Sequence, residues 1–292
     1  MKDRSLEKRI LSDDLEIYYW ITWSKELNRR FIILHPASSM NHTSLQSLEQ
    51  GLNEMGFPTL TLDPRGYGLS KAPPKPEYFT LDKYSNDLKR IIEKEGLEKP
   101  YYLGHSFGFM PIVDYVSKSS NASSIIGVCA SYNFSKTAQN KLLFYLFNRV
   151  LRYAEYAGSF GMKIYNLIIK EQKVRKQKYP DQSKLEEKTD LDVWFSIVDV
   201  PFMEIKTHII SGIEINKWDI TEQLKKIDIP VLLIYGNKDI MVRPDTGEYI
   251  SSLIKNSEDL CRIEIIEGTH SLPVTRPSKV LEVIKKFEKW LF

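Results

Sequence analysis

The sequence predicts an α/β fold: a mostly parallel sheet of about eight strands flanked by helices, entered through an antiparallel hairpin and interrupted by an inserted α-helical cap. Three observations carry that prediction. Short apolar runs alternate with amphipathic runs of helical spacing from residue 31 to residue 130, and again from residue 231 onward. Between them, residues 133–215 lose the strand alternation and the glycine punctuation and hold long amphipathic runs instead. One strand-like run also ends in Gly104-His105-Ser106-Phe107-Gly108, a tight turn that opens directly into a helical pattern.

The elements follow in order. Leu6–Leu11 and Leu15–Trp23 read as strands joined by the turn Ser12-Asp13-Asp14, a hairpin. Phe31–His35 is a continuous apolar run, the kind buried on both faces of a parallel sheet. Residues 44–55 place Leu45, Leu48, Leu52 and Met55 at helical spacing, with His42 positioned to cap that helix. Phe57–Leu62 is a strand that runs into Asp63-Pro64-Arg65-Gly66-Tyr67-Gly68-Leu69-Ser70. The glycines and Arg65 there favour a structural turn for Asp63 over a chemical role. Residues 80–95 are helical, Tyr101–Leu103 forms the strand before the serine turn, Phe109–Lys118 suits a helix, and Ser124–Ala130 is a strand. In the insertion, Leu142–Tyr156, Met162–Gln177 and Leu191–Ile210 are amphipathic. The rhythm then returns: strand Val231–Tyr235, helix Asp245–Ile254 with Asp245 and Glu248 serving its N-terminus, strand Arg262–Ile266, helix Ser278–Leu291. This divides the chain into a core domain of residues 1–132 and 216–292 and a cap domain of residues 133–215.

The serine turn directs the search for chemistry. A serine on so tight a turn has its hydroxyl pushed outward, and glycines on both sides let neighbouring backbone approach. A hydroxyl is a poor nucleophile without a base, and the base needs an orienting acid. In a parallel sheet such groups gather at the carboxyl ends of strands. Past Val231–Tyr235 comes Gly236-Asn237-Lys238-Asp239, and past Arg262–Ile266 comes Glu267-Gly268-Thr269-His270. Ser106, Asp239 and His270 are therefore the expected catalytic set. The strand before the insertion leads into Ser131-Tyr132-Asn133, which carries no carboxylate, and this strengthens Asp239.

With these residues in place, the chain resembles the α/β-hydrolase fold superfamily, serine hydrolases of the esterase-like kind with a helical cap. The resemblance rests on Gly104–Gly108, Asp63–Ser70, Gly236–Asp239 and Gly268–His270. It covers nearly the whole length, the cap matching only in position and helical character. It implies Ser106 as nucleophile, His270 as general base and then acid, Asp239 as orienter, and the Phe107 N–H as one oxyanion donor. One departure stands out. The family has His-Gly after its third strand, and here the sequence is His35-Pro36-Ala37-Ser38-Ser39. Proline has no N–H, so the second oxyanion donor falls by position on Ala37. The implied activity is hydrolysis of carboxylic esters through an acyl-enzyme, without cofactor or metal. Thioesterase, amidase or aminopeptidase, lactonase and carbon–carbon bond hydrolase remain open on the same triad, as does a binding module that keeps the fold.

Composition sets the outer bounds. The chain has 292 residues, 42% of them hydrophobic and 27% charged, an ordinary globular balance. A formal net charge of +3 is too small to argue for nucleic acid. No apolar run approaches a membrane span, the N-terminal stretch lacks an apolar leader, and Cys129 and Cys261 have neither metal nor redox spacing. These features point to a cytoplasmic protein; the resemblance implies a small ester or related acyl substrate, and a monomer or homodimer is equally compatible with the sequence. His35, Ser38, His105, Trp194 and His208 are candidates to line its pocket, beneath a lid whose apolar face favours short-to-medium acyl groups.

Overall fold

In the computed structural model, the residues described are 6–24, 30–38, 40–138 and 205–291. The amphipathic runs Leu142–Tyr156 and Met162–Gln177, most of Leu191–Ile210, and Trp194 lie outside them.

The sheet has eight strands: β1 (Leu6–Ser12), β2 (Leu15–Thr22), β3 (Ile32–His35), β4 (Thr59–Leu62), β5 (Tyr101–His105), β6 (Ser124–Val128), β7 (Val231–Gly236) and β8 (Cys261–Ile266). Their order across the sheet is β1-β2-β4-β3-β5-β6-β7-β8. β1, β2 and β4 pair antiparallel, and every pairing from β4 through β3 to β8 is parallel. The hairpin turns through Asp13 and Asp14, both at positive φ, a conformation short polar side chains tolerate.

Period-2 alternation along the central strands separates two apolar layers. Ile33, Tyr102, Ile125 and Leu233 point into one, with Tyr84, Leu88 and Ile91 from α2 (Leu81–Glu95) and Ile112 and Val113 from α3 (Phe109–Ser119). Ile32, Leu34, Leu103, Ile126 and Leu232 point into the other, with Leu48 and Leu52 from α1 (Gln46–Glu54) and Val280, Ile284 and Phe287 from the C-terminal helix Pro277–Leu291. Each fully buried Leu, Ile or Phe contributes about 1.5–3 kcal/mol of transfer free energy, so neither layer can be spared.

The expected boundaries shift slightly. Residues 42–55 split into a 3-10 turn, His42–Leu45, and α1, and the capping side chain is that of Asn41, which accepts from the Thr43 N–H at 3.0 Å. His42 does not cap. Its backbone N–H and its Nδ1 reach Asp63 Oδ1 at 2.9 and 2.7 Å, and its ring stacks on Trp20 at 3.4 Å. Asp63 is the centre of a closed turn, as the glycines suggested: its second oxygen accepts from Leu69 N–H at 2.8 Å. A Cβ on Gly68 would lie 2.0 Å from that carboxylate. Arg65, fully buried, grips Asp87 of α2 with Nε at 2.7 Å and Nη2 at 2.5 Å, fixing the turn to the helix layer.

Two segments that flank residues 139–204, Tyr132–Lys136 and Asp219–Ile220, meet. Asp219 accepts from Asn133 Nδ2 at 2.9 Å and Lys136 Nζ at 2.8 Å, and Ile220 N–H reaches Tyr132 O at 3.1 Å. Ala138 bridges antiparallel to Val242, just past Asp239. The helix Ile205–Ile215 lies on the Gly66–Ala72 loop: a Cβ on Gly66 would meet Thr207 Cγ2, and Ser211 Oγ is 3.0 Å from Tyr67 Oη.

Candidate active site

Three strand ends carry the site. At the end of β5, Ser106 has φ +54, the strained conformation that Gly104 and Gly108 make possible. A Cβ at Gly104 would lie 2.5 Å from Phe109 N and Cα, so β5 could not turn straight into α3 with any other residue there. A Cβ at Gly108 would lie 2.5 Å from His35 O and 2.6 Å from Pro36 O. The far side of the turn is thus pressed against the loop that leaves β3.

At the end of β7, Asp239 is 1% exposed and its Oδ1 accepts from the N–H groups of Met241 at 2.8 Å and Val242 at 2.9 Å. Past β8, His270 presents Nδ1 to Asp239 Oδ2 at 2.8 Å and Nε2 to Ser106 Oγ at 2.8 Å. The two loops are stitched together: Lys238 N–H donates to Gly268 O at 2.9 Å, and Asn237 Oδ1 accepts from Gly268 N–H at 3.2 Å. Gly236 permits this, since a Cβ there would sit 2.4 Å from Gly268 O.

The hydrogen bonds fix the tautomer. A carboxylate only accepts, so His270 Nδ1 carries the proton and Nε2 is a bare acceptor for the Ser106 hydroxyl. Burial pushes the Asp239 carboxyl up, but the His270 ring and the two N–H donors more than offset this and hold it below its ordinary value. Asp239 is thus a carboxylate, hydrogen-bonded to the His270 ring.

The remaining expected residues fall as follows. His105 is fully buried beside His270 and its Nε2 donates to the His270 carbonyl at 2.9 Å. Burial, with the neighbouring His270 ring, lowers its pKa to about 3. His35 is also fully buried, donates Nδ1–H to Pro36 O at 3.0 Å, packs edge-on against Phe107, and has its pKa lowered by burial to about 4. Both rings are therefore neutral and enclosed by protein. Ser38 Oγ lies 3.3 Å from Tyr67 Oη. His208, on the Ile205–Ile215 helix, is buried, and burial lowers its pKa to about 4. Among the described residues, no hydrogen bond takes up the N–H of Ala37 or of Phe107. Phe107, Tyr84 and Trp218 pack together beside the serine turn, with ring centroids 5.2–5.9 Å apart. Trp218 and Cys129 carry no motif. Only their position, just past the insertion and at the end of β6, could have drawn attention to them.

A mostly parallel sheet with a strained serine elbow and an Asp–His pair past the last two strands defines the α/β-hydrolase class. The family model for the alpha/beta hydrolase fold matches residues 30–277, and the chain belongs to that family. Among curated relatives, the proline iminopeptidase of Saccharolobus solfataricus is 28% identical, over 96% of this chain and 90% of its own length. That of Thermoplasma volcanium is 27% identical over 83% of each. Among solved structures, an esterase from Exiguobacterium antarcticum superposes with a TM-score of 0.74 at 19% identity, covering 97% of this chain and all of that one. A bromoperoxidase from Bacillus anthracis reaches 0.75 at 18%, covering 98% and 100%. Hydrolase activity is supported by this kinship. No helix among the described residues is long and apolar enough to cross a membrane.

Proposed function

We propose that the protein is a serine hydrolase that cleaves carboxylic esters through an acyl-enzyme formed on Ser106. The observation that carries this reading is the unbroken chain from Ser106 Oγ through His270 to Asp239, 2.8 Å at each step. Ser106 attacks the acyl carbonyl while Nε2 of His270 takes its proton. Asp239 holds the ring in the required tautomer and stabilises the imidazolium that results. The developing oxyanion is met by the N–H groups of Phe107 and Ala37, the latter because Pro36 offers none. His270 then protonates the leaving alcohol, activates water, and the acyl-enzyme is hydrolysed. The steps need no cofactor.

Residues 133–215 act as the lid over this edge. The reading is supported by the hydrogen bonds of Asn133 and Lys136, at the start of that stretch, to Asp219 just past its end, and by the bridge from Ala138 to the loop of Asp239. A closed lid encloses the acyl group, and each buried methylene contributes about 0.8 kcal/mol until the space is full. Short-to-medium acyl chains are therefore preferred.

A second reading, cleavage of an N-terminal residue from a peptide by the same triad, is favoured by the near full-length relatives that are proline iminopeptidases. One experiment separates them: kcat/KM on p-nitrophenyl esters from acetyl to long acyl chains beside prolyl p-nitroanilide, for the native protein and for Ser106→Ala. The ester reading expects a rise and then a sharp fall with chain length and little anilide turnover. Efficient anilide cleavage with weak ester cleavage selects the peptidase. Unchanged turnover in Ser106→Ala sinks both.

A further inference from the structure

Cys129 follows β6 at φ +50, fully buried, with its N–H donated to Ile234 O at 2.7 Å. It therefore sits at the end of the strand next to β7, beneath the Asp–His pair. Its Sγ, a carboxylate oxygen of Asp239 and a ring nitrogen of His270 all lie within 4.8 Å of one another. The Thr269 carbonyl is 3.9 Å from the same sulfur. We propose that these groups form an inhibitory site for a thiophilic divalent cation, of the Zn²⁺ or Cd²⁺ kind.

The donor set suits such an ion. Thiolate, imidazole and carboxylate are the ligands of tetrahedral zinc sites, at roughly 2.0–2.3 Å, and the peptide carbonyl is within reach of the fourth position. A tetrahedral ion needs ligand separations of about 3.3–3.7 Å. The sulfur closes in and the 2.8 Å His270–Asp239 contact opens, each by about an ångström or less. Charge also balances. The Cys129 thiolate and the Asp239 carboxylate offset the two positive charges, which an enclosed site requires. Cys129 directly follows β6, and Asp239 and His270 lie in the short, mutually hydrogen-bonded loops past the adjacent strands β7 and β8, so the strand order brings the three donors together.

Inhibition follows from the proton count. On binding, the thiol proton leaves to solvent. The ion takes Nδ1, so the proton of the neutral imidazole moves from Nδ1 to Nε2. Nε2 then donates and can no longer accept the Ser106 proton. The ion thereby traps the ring in the tautomer that cannot act as a base.

Binding does not depend on the hydrolase reading, whereas inhibition does, and the test keeps the two apart. Cd²⁺ is titrated into the native protein, Ser106→Ala, Cys129→Ser, Cys129→Ala and Cys261→Ser. The readouts are the ultraviolet cadmium–thiolate band and, with Zn²⁺, ester hydrolysis. One equivalent should give the band in the native, Ser106→Ala and Cys261→Ser proteins, but not in either Cys129 variant. Zn²⁺ should abolish native hydrolysis, reversibly by a chelator. The Cys129 variants, folded by circular dichroism and active without metal, should need at least tenfold more Zn²⁺. A band lost with Cys261, no band at one equivalent, or equal inhibition of native and Cys129 variants overturns the proposal.

Discussion

Two buried aspartates, Asp63 and Asp239, sit in this molecule at the carboxyl ends of strands, and each binds a histidine through Nδ1, at 2.7 and 2.8 Å. Each also accepts two backbone N–H groups, from His42 and Leu69 in one case and from Met241 and Val242 in the other. As isolated pairs they are nearly the same object. What separates them is the far side of the ring. His270 turns Nε2 to a strained serine hydroxyl, whereas His42 lies flat on Trp20, tied to the Asp63 turn that Arg65 fastens to Asp87. An Asp–His pair is thus a device for fixing a ring. Whether it becomes chemical depends on what a third, sequence-distant element presents to it.

The largest expected effect tests the pair proposed to be catalytic. Ser106→Ala should remove ester hydrolysis and labelling by a serine-directed phosphonate, and His270→Ala and Asp239→Asn should each cost on the order of 10³-fold or more in kcat. Initial-rate kinetics on folded variants decide this. If Asp63→Asn costs as much as Asp239→Asn, the distinction drawn between the two pairs is wrong.

Next is the oxyanion site. Ala37→Pro removes a donor worth roughly 3 kcal/mol, so kcat should fall about 10²-fold with KM little changed. A fall confined to KM would remove Ala37 from that role.

Asp63→Asn should act on stability instead. It weakens three hydrogen bonds at a buried carboxylate, and a loss of about 1–3 kcal/mol in chemical denaturation is expected, with kcat kept within an order of magnitude. Stability equal to the native protein would mean the turn is held by Arg65 and Asp87 alone.

The last effect is a dependence on pH, which bears on the fold around both pairs and not on either pair alone. His35, His105 and His208 have folded pKa values lowered to about 4, 3 and 4 from an ordinary 6.5. Between those limits the unfolded chain binds protons that the folded one refuses. Stability is therefore complete above about pH 6.5 and falls as pH drops, by about 1.4 kcal/mol per pH unit for each histidine. Denaturation midpoints from pH 7 to 4.5 check the slope, and His208→Gln should reduce it by one proton. A flat profile would show that these rings are not held neutral.

Much was legible in the chain itself because it is local. Glycines 104, 108 and 236 are demanded by neighbouring backbone that would lie 2.4–2.5 Å from any Cβ there, and strand–helix alternation places Ser106, Asp239 and His270 at one edge of the sheet. Periodicity of 2 and 3.6 is a property of neighbouring residues, so it survives in sequence. Only the tertiary structure decided the partners of groups far apart in the chain. It gave His42 to Asp63, set the His105 ring against the His270 carbonyl 165 residues away, and put Cys129 beneath the Asp–His pair. Such contacts follow from strand order and register, which no local pattern encodes. The Asp63–His42 and Asp239–His270 pairs therefore share a short-range geometry and differ in what the fold brings to the ring, the face of Trp20 in one and a serine hydroxyl in the other.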